Sequence, residues 1–185
     1  MKEAEIIQGC QRNDSRCQQR LYELYYPLMS SIALRYSSNI DEARQGLNFA
    51  FLKVLQNIEK YNPDYALATW IRTIFVRHFI DEYRKQQRTR HWMDISSLQE
   101  YELPSDENQA VEGHMKEFLD HLLALLPLSS RTVFCMHAVD GFSYAEIAGM
   151  LEITEATCRW HVNSARKKLQ ELLKTHELKI HSQAL

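Results

Sequence analysis

The chain contains few of the residues that interrupt regular secondary structure. It has only five glycines and four prolines among 185 residues, and few of them fall inside the stretches where apolar residues recur every three to four positions. Because glycine and proline are the residues least favourable in helix interiors, their scarcity and this periodicity together predict an all-α protein. The length suffices for one domain of ordinary size or for two small ones.

Sequence patterns of catalytic and metal sites are also missing. The four cysteines, at positions 10, 17, 135 and 158, form no CxxC pair, which argues against a disulfide framework or a zinc site and predicts reduced thiols. The eight histidines show no ligand spacing such as HExxH. The chain has no glycine-rich phosphate loop, nucleophile elbow or carboxylate cluster. We therefore expect no metal, no cofactor and no enzymatic activity.

Long apolar runs and a strong net charge are absent as well. No stretch approaches the roughly 20 apolar residues that a membrane-spanning helix needs, and the polar N-terminal sequence MKEAEIIQGCQRND lacks the core of a signal peptide. We therefore expect a cytoplasmic protein without membrane insertion. The net charge of −2 does not by itself indicate a nucleic-acid-binding protein, so the distribution of charge along the chain carries more information.

Periodicity and charge divide the chain into three parts. Residues 1–90 contain apolar stripes at helical spacing and predict a helical domain. Residues 91–112 lose this periodicity, and from Asp94 onward they carry six acids and no lysine or arginine. That composition is typical of a flexible acidic linker. Residues 113–185 regain the helical spacing and predict a second helical domain.

The second predicted domain contains the sequence shape of a helix-turn-helix. Ser143 and Glu146 have the spacing of a capping box at the start of a short helix, and Thr154 can cap the helix that follows. Ile147 is expected to face inward, and Ile153 is expected to be the buried residue of the turn. A short helix, a tight turn and a longer helix with a basic end are typical of proteins that bind duplex DNA.

The outer side of the longer helix carries residue types that contact duplex DNA. Arg159 can bond guanine edges or phosphates, and Asn163 can bond adenine or phosphates. The alternative is a solvated basic face, where cations also favour the helix dipole, but the helix-turn-helix spacing favours DNA binding. The predicted contacts with duplex DNA are Thr154, Glu155, Ala156, Thr157, Arg159, Trp160, Asn163, Arg166 and Lys167.

A second candidate nucleic-acid surface is predicted on a helix that starts near Ala66. Aromatic and basic residues are interleaved over residues 68–90, and such a surface can stack on unpaired bases while the cations hold the backbone. The alternative is that the aromatic residues are core and the basic residues merely exposed. We favour this alternative for Phe75 and Phe79, and both interpretations stay open for Trp70. The predicted contacts with unpaired nucleic acid are Trp70, Arg72, Arg77, His78, Arg84 and Lys85.

Four segments, in this order, resemble a known protein family. Residues 21–36, LYELYYPLMSSIALRY, are similar to the opening helix of bacterial extracytoplasmic-function (ECF) sigma factors, the small two-domain members of the sigma-70 family. Residues 51–62 and 68–88 resemble the signature of the second sigma region, and residues 126–169 resemble that of the fourth. The resemblance covers nearly the whole chain and implies two helical domains tethered by a linker.

The resemblance also implies partners and roles. The first domain would bind core RNA polymerase and capture the unwound downstream element of promoter DNA. The second would dock its helix-turn-helix into the upstream element and touch the polymerase flap. An anti-sigma factor is a further expected partner. The implied polymerase-binding residues are Gln45, Asn48, Phe49, Leu52 and Lys53.

Two stretches depart from the family pattern. Residues 43–51 lack the family's acidic patch, with Gly46 inside the predicted helix and Phe49 at a charged position. Trp160-His161 stands where the family more often has small or basic residues, which bears on promoter choice. The first departure keeps open a sigma-like module that sequesters an anti-sigma factor without initiating transcription. The other alternative is a simple helix-turn-helix regulator, against which the sigma-like first half of the chain counts.

Overall fold

The computed structural model describes residues 2–90 and 111–183, and within these ranges it consists of helices without any strand. This confirms the predicted all-α fold. None of the described helices is both long enough and apolar enough to cross a membrane. The helices are α1 (Glu3–Gln11), α2 (Ser15–Tyr36), α3 (Ile40–Gln56), a 3₁₀ helix (Ile58–Lys60), α4 (Leu67–Arg90), α5 (Val111–Ala124), α6 (Leu128–Ala138), α7 (Tyr144–Leu151) and α8 (Glu155–Gln183).

The chain divides into two compact units, Met1–Met93 and Asp94–Leu185. The division falls within the predicted acidic linker, residues 91–112, of which all but the last two residues lie outside the described ranges. The linker and the limits given for the two domains, 1–90 and 113–185, therefore stay predictions.

Side-chain caps stabilise the start of two helices of the first unit. Asp14 precedes α2, and its carboxylate accepts hydrogen bonds from the backbone amides of Arg16 and Cys17 at 2.8 and 3.2 Å. Asn39 precedes α3, and its side-chain oxygen accepts from the amide of Glu42 at 2.9 Å. Each cap satisfies amides that have no partner within the helix.

The core of the first unit forms where α2, α3 and α4 pack together. Burial of each large apolar side chain contributes about 1.5–3 kcal/mol. Phe75 and Phe79 lie in this core, which confirms the interpretation that we favoured for both. Large buried side chains of these three helices are Leu21, Met29, Ile32, Val54, Leu67, Ile71, Phe75 and Ile80.

Gly46 lies inside α3 because Phe79 of α4 occupies the space that a side chain would need. A Cβ atom at position 46 would lie 2.4 Å from Cε1 and 2.7 Å from Cζ of Phe79. These distances are well inside van der Waals contact, so any larger residue would have to displace the Phe79 ring. The glycine that departs from the family pattern therefore allows two core helices to approach closely.

The second unit is organised around α7 and α8. Ser143 and Glu146 form the predicted capping box: Ser143 Oγ accepts from the Glu146 amide at 3.2 Å, and the Ser143 amide donates to the Glu146 carboxylate at 2.8 Å. Glu152 ends α7 in the left-handed conformation, with φ of 58°. Thr154 Oγ1 then accepts from the Thr157 amide at 3.1 Å and caps α8, as predicted. These elements are the expected short helix, tight turn and longer helix.

The core of the second unit lies along one side of α8. Both α6 and α7 pack against this helix, and Ile147 of α7 is fully buried, as expected. Ile153 is only partly buried, so the expectation of a buried turn residue is wrong there, because the turn lies at the edge of the core. The buried row on α8 is Cys158, Val162 and Ala165.

All four cysteines are free and buried. Burial raises the pKa of Cys10 to about 11, and burial also raises the pKa of Cys158. At neutral pH these two thiols are protonated, and a protonated thiol is a poor nucleophile and a poor metal ligand. Within the part of the chain that the structure describes, no group of three or more His, Cys, Asp or Glu residues is placed to hold a metal ion.

Candidate nucleic-acid interfaces

The exposed face of α8 is located by the buried row on its other side. Successive helix residues are rotated by about 100°, so the positions opposite Cys158, Val162 and Ala165 form a second, outward row. All side chains of that outer row are exposed; they are Ala156, Trp160, Asn163 and Lys167. Arg159 and Arg166 are exposed beside the row. The face is therefore convex and carries several cations.

Two contacts hold Arg159 before any ligand binds. Its Nη2 donates to the Glu155 carboxylate at 2.8 Å, and its guanidinium lies 4.9 Å from the centroid of the Tyr144 ring. Tyr144 in turn stacks on His137, with 4.2 Å between the ring centroids. These contacts join α7 to α8 and orient the guanidinium. Because water screens an exposed ion pair, Glu155 can release Arg159 to a ligand at low cost.

The structure brings the predicted duplex contacts together on the first half of α8. Trp160 is the most prominent of them, with 63% of its surface exposed. Thr154 and Thr157 are hydrogen bonded through their hydroxyls at 2.8 Å, so both belong to the helix cap, and Thr157 is partly buried. The exposed members of the set are Thr154, Glu155, Ala156, Arg159, Trp160, Asn163, Arg166 and Lys167.

The second surface is a cleft of about 260 Å³ between α4 and the end of α3 with its following 3₁₀ helix. Three cations and one acid line it: Lys53 and Lys60 from one side, and Arg77 and Asp81 from α4. The charged lining is therefore positive on balance. Positive charge around a concave site concentrates the field and attracts a polyanion such as a nucleic-acid strand. The lining residues are Lys53, Asn57, Lys60, Trp70, Ile74, Arg77, His78 and Asp81.

Trp70 packs against a neighbouring aromatic ring and also lines the cleft. Its ring meets Tyr61 edge to face, with 5.4 Å between the centroids and 60° between the planes, a geometry typical of stable aromatic pairs. The indole is only partly buried and also lines the cleft. Packing of Trp70 against a neighbouring ring is therefore observed, and stacking of its indole on an unpaired base stays a prediction.

His78 is not the surface residue that we expected. It is only 4% exposed, and neither ring nitrogen has a hydrogen-bond partner. Burial, followed by the nearby charge of Lys53, lowers the pKa of His78, so the ring is neutral at pH 7. His78 thus contributes a buried, uncharged ring to the cleft wall, and its contact with DNA stays a prediction.

The other predicted contacts on α4 lie outside the cleft lining. Arg72 and Arg84 are partly buried. Lys85 is exposed, and its ammonium donates to the Glu82 carboxylate at 2.7 Å. The structure therefore brings only Trp70 and Arg77, with the buried His78, into the cleft.

Four cleft residues were not assigned to this surface from the sequence: Asn57, Lys60, Ile74 and Asp81. Lys53 was assigned to the polymerase surface instead. The structure places Lys53, Asn57 and Lys60 together along the cleft. Their positions differ by four and then three residues, which is helical spacing. That spacing is the signal that could have grouped them into a polar face directed at α4.

The remaining implied polymerase contacts form an exposed stripe on α3. Gln45, Asn48, Phe49 and Leu52 follow helical spacing, and all are exposed. Phe49 is 62% and Leu52 is 50% exposed. Large apolar side chains grouped on a surface are typical of protein contacts. This α3 stripe is therefore suited to a protein partner rather than to DNA.

Comparison with known proteins covers both units. The family model described as Sigma-70 region 2 matches residues 21–89, and that described as Sigma-70, region 4 matches residues 117–169. The chain is 31% identical over 147 residues to the ECF RNA polymerase sigma factor EcfG of Rhodopseudomonas palustris (strain TIE-1), spanning 80% of each chain. It is 22% identical over 184 residues to the ECF RNA polymerase sigma-E factor of Escherichia coli (strain K12), spanning 91% of this chain and 95% of that one.

A solved structure shares the fold. The sigma factor RpoE, in complex with the anti-sigma factor NepR from Bartonella quintana, gives a TM-score of 0.55 at 23% identity over 84% of this chain and 96% of that chain. The two matching sigma regions follow each other in the order of the two units. The chain belongs to the ECF RNA polymerase sigma factors, the subunits through which the polymerase recognises promoters.

Proposed function

We propose that this chain directs core RNA polymerase to a promoter through two separate DNA contacts. The outer row of α8 docks on the upstream duplex, and the cleft beside α4 holds a melted downstream strand. The observation that carries the proposal is the difference in shape between the two cation-bearing surfaces, one convex and one concave, within a single chain. The chain has no catalytic role of its own, because nucleotide addition is the reaction of the polymerase.

The outer row of α8 suits the major groove of duplex DNA. This groove, about 12 Å wide, admits an α-helix, and the small side chain of Ala156 lets the helix approach the base edges. Arg159 is proposed to bond a guanine edge and Asn163 an adenine edge. Arg166 and Lys167 lie further along α8 and are proposed to bond phosphates, which position the helix without distinguishing base sequence.

The cleft suits an unpaired base. In a melted strand the base exposes the faces of its ring, and stacking on an aromatic side chain such as Trp70 contributes about 1–3 kcal/mol per base. Lys53, Lys60 and Arg77 line the same cleft and can neutralise the flanking phosphates. Because the cleft binds the open form of the promoter and not the paired form, binding shifts the equilibrium towards open DNA.

The α3 stripe is proposed to bind core RNA polymerase. Phe49 and Leu52 provide apolar area where the family pattern has an acidic patch. A contact built on apolar burial depends less on salt than one built on exposed charges. We therefore expect assembly with the polymerase to persist at salt concentrations that weaken the DNA contacts.

Regulation and location are proposed by analogy with a relative. RpoE of Bartonella quintana is bound by the anti-sigma factor NepR, and we propose that an anti-sigma factor likewise holds this chain until it is released. Since bacterial polymerase and promoter DNA share the cytoplasm, the chain is proposed to act there.

Assembly and transcription with purified core RNA polymerase of the same organism test the proposal. The full-length chain should comigrate with core enzyme in gel filtration and should direct specific transcripts from a library of genomic fragments, whereas core enzyme alone should not. Assembly without specific transcripts would favour a sigma-like module that only sequesters partners. Specific DNA binding without assembly would favour a simple helix-turn-helix regulator.

A pair of variants tests the role of the α3 stripe. Phe49→Ser should weaken assembly about tenfold, a loss typical of an apolar interface anchor. Tyr65→Ser is the matched control, because Tyr65 is an equally exposed aromatic residue outside α3, and it should leave assembly unchanged. Equal effects of the two substitutions would remove α3 from the polymerase contact.

A further inference from the structure

Trp160 is the largest side chain on the outer row of α8. With 63% of its surface exposed, it stands between the smaller Ala156, one turn before it, and Asn163, one turn after it. The indole therefore projects beyond its neighbours in the row. A surface that meets this row of α8 meets Trp160 first.

The indole is oriented by the fold beneath it. Its ring meets His161 edge to face, with 4.9 Å between the centroids and 74° between the planes. Ser130 Oγ, on the buried side of α6, is hydrogen bonded to His161 Nδ1 at 3.0 Å. Burial lowers the pKa of His161, so the supporting ring is uncharged at pH 7. A side chain held in this way loses little conformational freedom on binding.

The chemistry of the indole selects its target in the groove. The ring offers two apolar faces, one N–H donor and no acceptor. Among the groups that bases present in the major groove, the 5-methyl of thymine is the apolar one. Phosphates, by contrast, are matched by the cations Arg166 and Lys167 further along α8. The apolar member of the outer row therefore fits thymine, and these two cations fit the backbone.

We infer that Trp160 is a specificity-determining residue that packs against the 5-methyl group of a thymine in the upstream promoter element. The inference rests on the proposed docking of α8 in the major groove. Asn163 lies three residues further along the helix, a rise of about 4.5 Å, and successive base pairs are about 3.4 Å apart. Asn163 therefore reaches the base pair next to the thymine that Trp160 contacts.

Replacement of thymine by deoxyuridine, which removes only the methyl group, tests the inference. The probe is a duplex enriched from a random-sequence library by the full-length chain assembled with core polymerase, and each of its thymines is replaced singly. The wild-type complex should lose about fourfold in affinity at one position, the contribution expected of one buried methyl group. The Trp160→Ala complex should bind both probes equally, and Trp160→Phe should keep part of the response.

Two results would overturn the inference alone. One is a wild-type complex that responds to deoxyuridine at no position. The other is a Trp160→Ala complex that keeps the wild-type response to deoxyuridine. A failure of the proposed function gives a different result, because the wild-type complex would then enrich no duplex from the library. That result would contradict the proposed docking of α8 and, with it, the inference.

Discussion

Trp70 and Trp160 place the same side chain in opposite settings. Trp70 is partly buried, packs on Tyr61, and lines a cleft that three cations surround. Trp160 is largely exposed on a convex helix whose cations lie along the same face. Trp70 is thus part of a concave cleft, and Trp160 is part of a convex helix face.

In the function that we propose, this difference corresponds to the two forms of DNA that a promoter presents. In a duplex the bases stack on each other and show only their edges, so a protein must project side chains into a groove. An unpaired base shows its ring faces, so a protein needs a concave site with an aromatic surface. A chain that carries both shapes can bind paired DNA at one element and hold a melted strand at another.

The largest expected change in stability follows from replacing one helical glycine in each unit. Gly46→Val should destabilise the first unit by about 3 kcal/mol, because even a Cβ there would lie 2.4 Å from the Phe79 ring. Gly149→Ala in α7 should stabilise the second unit by about 0.5–1 kcal/mol, since its Cβ would meet nothing within 4 Å and alanine favours helix. Denaturant unfolding of the full-length variants measures both changes. A Gly46→Val chain as stable as the wild type would contradict the close packing of α3 on α4.

The next largest effect distinguishes the cleft from the outer row of α8 by their affinities for single-stranded and duplex DNA. Trp70→Ala should weaken binding of a single-stranded oligonucleotide by about 1–3 kcal/mol and leave affinity for the upstream duplex unchanged. Trp70→Phe keeps a ring beside Tyr61 and should retain most of the affinity for the single strand. Fluorescence anisotropy with the two labelled probes measures the difference. Equal losses on both probes would mean that the substitution acts on folding and not on the cleft.

Two substitutions on α8 should divide base recognition from backbone binding. Arg159→Ala should relax preference at one base position, at a cost of about 1–3 kcal/mol if the guanidinium makes a bidentate guanine contact. Lys167→Ala should weaken all duplexes alike and reduce the slope of log affinity against log salt by about 0.9, the release of counterions from one phosphate. Titrations across a salt series with matched and mismatched duplexes give both quantities. If Arg159→Ala weakened every sequence equally, Arg159 would belong with the phosphate contacts.

The smallest expected effect is a pH dependence of stability from His78. Burial and the charge of Lys53 hold its pKa below the ordinary value of about 6.5. The unfolded chain therefore takes up the proton more readily, so this contribution to stability is complete above about pH 6.5 and is lost as the pH falls. His78→Leu should flatten the fall in denaturant midpoint between about pH 7.5 and 5. His161 of the second unit keeps its own lowered pKa in this variant. If the denaturant midpoint fell equally in the wild-type and His78→Leu chains, the pH dependence would come from groups other than His78.

Features that act over a few residues were predictable from the sequence. The capping box of Ser143 and Glu146 and the cap at Thr154 were found where expected, because a cap depends on a side chain and an amide two or three positions away. The helix expected from near Ala66 begins at Leu67. The recognition of two helical units follows from the same local periodicity.

Features that depend on packing between helices were not predictable in the same way. The cleft joins Lys53 and Lys60 to Arg77 only because α3 packs on α4. His78 was expected at the surface from its basic and aromatic neighbours. Yet it shares the helical spacing of the buried Ile71 and Phe75, and that spacing decided its position.

Transcription from paired and pre-melted templates tests the division of labour between the two units most directly. Holoenzymes carrying the wild-type chain, Trp70→Ala or Trp160→Ala would be compared on a fully paired promoter and on one with a mismatched bubble at the downstream element. The account predicts that the mismatched bubble restores most of the transcription that Trp70→Ala loses, because the protein no longer has to open the downstream base pairs. The bubble should leave the transcription defect of Trp160→Ala unchanged. Rescue of Trp160→Ala but not of Trp70→Ala, or a wild-type holoenzyme inactive on the paired promoter, would contradict it.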